Sequence, residues 1–246
     1  MRLTVLGGCG AWPAAGEACS GYVIEHDGFR VLIDPGYAVL PRLLQDIAAE
    51  QVDAVLVSHK HPDHCADINP LLRARALQDN PPAALPIYSL PGAVDAVLAL
   101  DRPGMLDAAY VLCEFEAGEG LSIGPLEVDT RALPHFVPNV GFRLTADGVA
   151  LAYTGDAGPD RALIDLARGA DLLLAEASYI EVVPDDSRGR LSSAREAGQQ
   201  ATEAGVGALM LTHLLPGTDR REARRSAQAS FAGPVQVARA GLTLEV

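Results

Sequence analysis

Short apolar runs alternate along the chain with amphipathic ones, and the pattern predicts strands in two groups with helices between and after them. MRLTVLG opens as a strand that ends at the glycines of GGCG, and a loop through AWPAAGEACSG crosses to the next element. YVIEHDGFRVLID reads as two strands joined at Asp27 and Gly28, a dipeptide suited to a tight hairpin. VLPRLLQDIAAE carries apolar residues at helical spacing, and DAVLVSH is a short strand that stops where polar chemistry begins, at His59. INPLLRARALQ and PGAVDAVLAL read as helices around the short strand of PPAALPIYSL. VLCEF, LSIGPLEVDTRAL, VGFRLTADG and VALAYTGD then make a strand-rich middle, with a turn at Gly148. Helices at DRALIDLA, SSAREAGQQATEAG and TDRREARRSAQASF separate the strands DLLLAEAS, GALMLTH and the terminal PVQVARAGLTLEV. No repeat, low-complexity linker or composition break divides the chain, so a single α/β domain over residues 1–246, with sheets covered by helices, is the expectation.

Composition narrows the partners. The 246 residues are 49% hydrophobic, enough to close a sizeable core. With 32 acidic and 19 basic side chains the formal charge is −13, which argues against a broad cationic surface for nucleic acid but not against a small anionic substrate. The apolar runs are short, and Met1 to Gly8 lacks the basic start and long apolar core of a secretory signal, so a soluble, cytoplasmic protein with no membrane partner is expected. Cys9, Cys19, Cys65 and Cys113 form no CxxC pair and are expected to be reduced.

The densest chemistry is SHKHPDHCAD, residues 58–67, with His59, His61, Asp63 and His64 directly after an apolar strand. Two imidazoles two residues apart can converge from an extended strand end, and the following turn can aim Asp63 and His64 at a neighbouring position. One metal could be held by the first pair and another by the second. His135 in ALPHF and His213 in LTHLL stand beside further strands, and Asp156 closes AYTGD. Mixed nitrogen and oxygen donors suit Zn2+, with Mn2+ or Fe2+ as alternatives. The sixth histidine, His26, reads as an exposed hairpin residue, Lys60 as solvated, and RREARR at residues 220–225 as an ordinary solvated helix face. GGCGAWPAAG has neither a Walker lysine nor GxGxxG spacing and is not a nucleotide loop.

Together SHKHPDH, ALPHF, AYTGD and LTHLL resemble the metallo-β-lactamase superfamily over nearly the whole chain. The resemblance implies a four-layer αββα sandwich, two mixed sheets face to face with outer helices, and two divalent metals at one sheet edge. It implies that His59, His61 and His135 bind the first metal, that Asp63, His64 and His213 bind the second, and that Asp156 bridges them. Asp63 and Asp156 would be the catalytic carboxylates, acting with a hydroxide held between metals about 3.5–4 Å apart. Asp34 in LIDPG would orient a ligand histidine from behind; Glu176 in AEAS would do the same or touch substrate; and Asn139 would reach phosphate or sugar from the rim or stabilise its turn.

Within the superfamily the chain is similar to the ribonuclease Z-like and cyclic-nucleotide phosphodiesterase branches, on MRLTVLGGCG, LIDPG, and AEAS followed by LTH. Where the tRNA-processing enzymes place a histidine opposite their glutamate, GRLSSAREAG has Leu191 and Ser192, and no long basic, glycine-rich arm is present. From SGYV through SYI and LTH to FAGPV the chain resembles a group of atypical bacterial cyclic-AMP phosphodiesterases best. The implied activity is hydrolysis of a small phosphodiester, a 3',5'-cyclic nucleotide such as cAMP, with no stable nucleic-acid partner. A ribonuclease Z-like nuclease, a carboxylic ester or lactone hydrolase, and a nonenzymatic metal-stabilised binding module are the alternatives. Homodimerisation would be similar to what related folds do; a monomer is the simpler expectation.

Overall fold

In the computed structural model, which describes residues 1–246, the first strands are β1 (Arg2–Gly7), β2 (Gly21–His26) and β3 (Phe29–Ile33), an antiparallel meander. Asp27 and Gly28 sit at φ 50° and 78°, the pair of positive φ values that a two-residue turn between twisted strands requires. β4 (Ala54–Leu56), β5 (Leu85–Ser89) and β6 (Tyr110–Glu114) then add in parallel to β3. A second sheet starts with the antiparallel β7 (Gly120–Ile123), β8 (Leu126–Leu133), β9 (Asn139–Ala146) and β10 (Val149–Tyr153). It continues in parallel through β11 (Leu172–Glu176), β12 (Ala208–Thr212) and β13 (Val235–Val237). The chain ends by returning to the first sheet, where β14 (Thr243–Glu245) lies antiparallel to β1. Each mixed sheet thus has seven strands, in the orders β14-β1-β2-β3-β4-β5-β6 and β13-β12-β11-β10-β9-β8-β7.

The two sheets bury Leu3, Tyr22, Ile24, Phe142, Tyr153 and Met210 between them. Short helices α1 (Val39–Leu43), α2 (Pro62–Cys65), α3 (Ile68–Ala76) and α4 (Asp95–Leu98) belong to the first half, and Leu43, Leu72 and Val97 pack with Leu32 and Ile87 behind its sheet. Behind the second lie α5 (Arg161–Ala167), α6 (Ala194–Ala204) and α7 (Arg220–Gln228), through Leu163, Ala197, Ala201 and Ala227. The central strands β4 and β11 are buried along their whole length, which is why AVL and LLLAE lack the alternation seen in β8. The layers therefore run helix, sheet, sheet, helix, the αββα arrangement expected from the sequence. No helix is long and apolar enough to cross a membrane.

Local signals explain the clearest helix. Ser193 caps α6, its hydroxyl accepting from the Glu196 N–H while Glu196 accepts from the Ser193 N–H at 2.8 Å, and Gly205 at φ 66° ends it. Other elements depart from the sequence pattern. The helix expected over residues 39–50 stops at Leu43 and relaxes into turns, because the chain must come round to pair Asp53 with Arg30: the Arg30 N–H donates to Asp53 Oδ2 at 2.8 Å and the Asp53 N–H to the Arg30 carbonyl at 3.0 Å. Of residues 91–100 only Asp95–Leu98 are α-helical. The segment 121–133 is split by Gly124 at φ 58° into β7 and β8. The terminal segment 234–246 is two strands on different sheets, parted at Gly241 with φ 83°.

Candidate dimetal active site

Most of the sequence-predicted histidines and carboxylates stand at or just beyond strand ends on one edge of the sandwich. Asp34 follows β3, His59 follows β4, His135 follows β8, Asp156 follows β10, Glu176 closes β11 and His213 follows β12. Parallel strands end together, so residues far apart in sequence meet there. His61 caps α2 and Pro62 opens it, a position where a missing N–H costs nothing, and this one turn carries Asp63 and His64.

Three imidazoles converge with a carboxylate in the first cluster. His59 Nε2 lies 3.0 Å from His61 Nδ1, which is 3.1 Å from His135 Nε2; Asp156 Oδ2 is 3.8 Å from both Nε2 atoms. In the second cluster His213 Nε2 is 3.2 Å from Asp63 Oδ2 and from Asp156 Oδ2, while His64 Nε2 is 3.5 Å from Asp63 and 3.2 Å from Asp156 Oδ1. Each cluster offers four donor atoms lying within 4.8 Å of one another, and Asp156 belongs to both. Two chelating clusters that share one carboxylate are the donor set of a dinuclear metal site.

Two buried atoms test the fit. His64 Nε2 and Asp156 Oδ1 lie 3.2 Å apart without hydrogen-bonding alignment and have no other hydrogen-bond partner, although burying an unsatisfied polar atom costs about 1–3 kcal/mol. Both point into the second cluster, where a cation would satisfy them. The opposite ring nitrogens are engaged: His59 Nδ1 with Ser58 Oγ at 3.0 Å, His64 Nδ1 with Asp34 Oδ2 at 2.8 Å, His135 Nδ1 with the Arg190 carbonyl at 3.0 Å, and His213 Nδ1 with Ser178 Oγ at 3.0 Å. Such partners at Nδ1 turn Nε2 inward in all four rings, and only His61 presents Nδ1.

Electrostatics divide the clusters. Burial pushes His59 well below the ordinary imidazole range and also lowers His61 and His135. At His64 and His213 burial acts in the same direction, but the Asp156 carboxylate outweighs it, with Asp34 assisting at His64 and Asp63 at His213, so both are raised. Burial opposes ionisation of Asp63 and Asp156, yet the His213 and His64 rings hold both carboxyls low. Glu176 is the exception: burial pushes it up to about 8.

Backbone geometry is bent to make the site. Asp34 and His213 occupy left-handed conformations at φ 48° and 56°, as does Ala11 at φ 62°, whose N–H donates to Asp63 Oδ2 at 2.8 Å. Non-glycine residues adopt that region at a cost of order 1–3 kcal/mol, and here three do so around one centre. Gly36 passes so close to Asp63 that a Cβ would lie 1.8 Å from its carbonyl oxygen.

The supporting residues take definite places. Asp34 is fully buried and accepts from the Ser58 N–H, Ser58 Oγ and Tyr153 hydroxyl at 2.6–2.7 Å in addition to His64. Glu176 accepts from the Ser178 N–H and hydroxyl at 2.9 Å and from the Ser192 N–H, behind His213. Asn139 is buried at the start of β9, bridged to His59 through the backbone and donating to the Thr154 carbonyl at 3.2 Å, which places it behind the ligands and not on the rim. Cys65 is buried beside the α3 core, and all four cysteines are free thiols. His26, expected to be exposed, is half-buried with Nε2 3.1 Å from Asp147 Oδ2, linking two hairpin tips. Sequence reasoning passed over Ala11, Ser58, Ser178 and Arg190. Ser58 and Ser178 stand inside SHKHPDH and AEAS but were given no role there, while Ala11 and Arg190 act through the backbone.

A family model described as the beta-lactamase superfamily domain matches residues 29–214. The chain is 33% identical to the probable metallo-hydrolase YhfI of Bacillus subtilis (strain 168) over 249 residues, covering all of both chains. The crystal structure of YhfI aligns with a TM-score of 0.90 over 99% of each chain. A ribonuclease Z of Kineococcus radiotolerans is 31% identical, over 87% of this chain and 83% of its own. The human short-form tRNase Z, 21% identical with a TM-score of 0.79 over 100% of this chain and 99% of its own, shares the fold. The chain belongs to the metallo-β-lactamase superfamily. Its fold and paired clusters define a metal-dependent hydrolase.

Proposed function

We propose that the protein hydrolyses a small phosphodiester, a 3',5'-cyclic nucleotide such as cAMP, with His59, His61 and His135 holding one metal, Asp63, His64 and His213 the other, and Asp156 shared. Zinc is the metal that this donor set favours, and manganese or iron are the alternatives. Metals bound there would supply a nucleophile from water at neutral pH and positive charge for the phosphoryl oxygens. The protein's own residues do the rest. Asp156 aligns both clusters, Asp34 and Ser58 fix the imidazole tautomers from behind, and Asp63, held by the Ala11 N–H, is the carboxylate placed to take a proton.

The observation that carries the substrate class is the segment facing Glu176. Its Ser192 N–H donates to Glu176 and its Ser192 hydroxyl to the Ala157 carbonyl at 2.8 Å, while Leu191 offers only a hydrocarbon side chain. The segment therefore lacks the histidine that the tRNA-processing pattern places opposite its glutamate, which weighs against that activity; the ribose oxygen that leaves from a cyclic nucleotide would take its proton from solvent. The −13 charge supports the same reading. Ribonuclease activity is the second reading, favoured by the 31% identity to the Kineococcus ribonuclease Z. A substrate panel separates them: the metal-loaded protein should cleave cAMP and bis(p-nitrophenyl) phosphate, whereas cleavage of precursor tRNA with cAMP left intact would reverse the ranking.

A further inference from the structure

The chain has five Phe, six Tyr and one Trp. Nine of these rings are buried or half-buried, and only Trp12, Phe136 and Tyr37 are exposed, at 52%, 50% and 39%. All three belong to segments that build the metal site. Trp12 follows Ala11, whose N–H holds Asp63 at 2.8 Å. Tyr37 follows Gly36, which packs directly on the Asp63 carbonyl. Phe136 follows His135, and its ring lies edge-on to that imidazole, 5.2 Å between centroids. Two of the aromatics therefore flank the second cluster and one flanks the first. Of the exposed aliphatics, Leu44, Leu77, Leu100 and Val111 lie at the ends of α1, α3 and α4 and on the edge strand β6, and Val182 lies in the loop between β11 and α6. Scattered exposed apolar residues are ordinary, but here every exposed aromatic directly follows a residue that holds or packs on the metal site.

We propose that Trp12, Tyr37 and Phe136 form an aromatic rim that stacks the nucleobase of the substrate while its phosphate occupies the metal site. Every base presents a π-face, so stacking recognises a nucleotide without reading which base it carries. The inference rests on the phosphodiester reading for the phosphate's position but not on turnover.

Trp12 is the only tryptophan, so its fluorescence reports the rim alone. The zinc-loaded protein is titrated with adenosine 5'-monophosphate and with ribose 5-phosphate, which carries the same phosphate without a base. The nucleotide should quench Trp12 and bind about tenfold more tightly. Phe136→Leu and Tyr37→Leu, both at exposed positions, should each weaken the nucleotide and leave ribose 5-phosphate unchanged. Equal affinities, a nucleotide that does not bind, or a base preference intact in both variants would overturn the rim. Hydrolysis of cAMP, measured in parallel, separates the two readings. A base preference without turnover sinks the phosphodiesterase and keeps the rim, and turnover without a base preference does the reverse.

Discussion

Asp34 faces His64 at 2.8 Å from behind the second cluster, and that carboxylate accepts three further donors, the Ser58 N–H, the Ser58 hydroxyl and the Tyr153 hydroxyl. Four donors on one buried carboxylate fix its orientation and, through it, the His64 ring. Asp34→Asn keeps the shape but replaces one acceptor oxygen by a donor, so at least one buried donor is left facing another. Loss of such a partner typically costs about 10–100-fold in metal affinity or activity. A chelator competition measured on the variant should show that loss; an unchanged competition curve would mean that Asp34 does not position His64.

Metal loading should release protons unevenly. Ligand imidazoles must be neutral. His59, His61 and His135 are lowered by burial and so are already neutral at pH 7, whereas His64 and His213, raised by Asp156 and its neighbours, retain protons above the ordinary value of 6.5. Affinity at the first cluster should therefore hold from pH 8 to about 6.5, while affinity at the second should fall as pH drops through the raised values of His64 and His213. Calorimetric titration of the metal-free protein in two buffers of different ionisation enthalpy gives the proton count at each step. Equal release at both steps would contradict the division.

Gly36→Ala tests the close approach beneath Asp63. A methyl group 1.8 Å from a carbonyl oxygen forces the backbone to move, and overpacking of this kind costs about 1–3 kcal/mol or more. For a chain of this size that corresponds to a melting temperature lower by roughly 2–12 °C. The metal content should drop with it, because the displaced backbone carries Asp63. A variant with wild-type melting and metal content would show that the contact is relieved without consequence.

The β-strand order and site were legible to different degrees. HxHxDH after an apolar strand is local: sequence spacing alone places His59, His61, Asp63 and His64 together. The convergence of His135, Asp156 and His213 on them depends on which strands lie parallel, which spacing cannot say and the resemblance supplied. The supports at Ala11 and Arg190 were not legible, because an N–H and a carbonyl leave no residue-type signature, nor was the burial of Asn139, set by the pairing of β9 with the loop that carries His59. The terminal segment misled for a related reason. Its two three-residue strands continue one apolar alternation, and only tertiary packing sends β13 and β14 to opposite sheets.

Metal content determined alongside cAMP hydrolysis, for the native chain and for Asp156→Ala, bears most directly on the whole account, since Asp156 is the one donor common to both clusters. The native chain should hold two divalent ions and hydrolyse cAMP. Asp156→Ala should lose metal from both clusters and fall to the activity of the metal-free protein. A native chain that holds two ions and leaves cAMP untouched, or an Asp156→Ala chain that hydrolyses it at the native rate, would contradict the account.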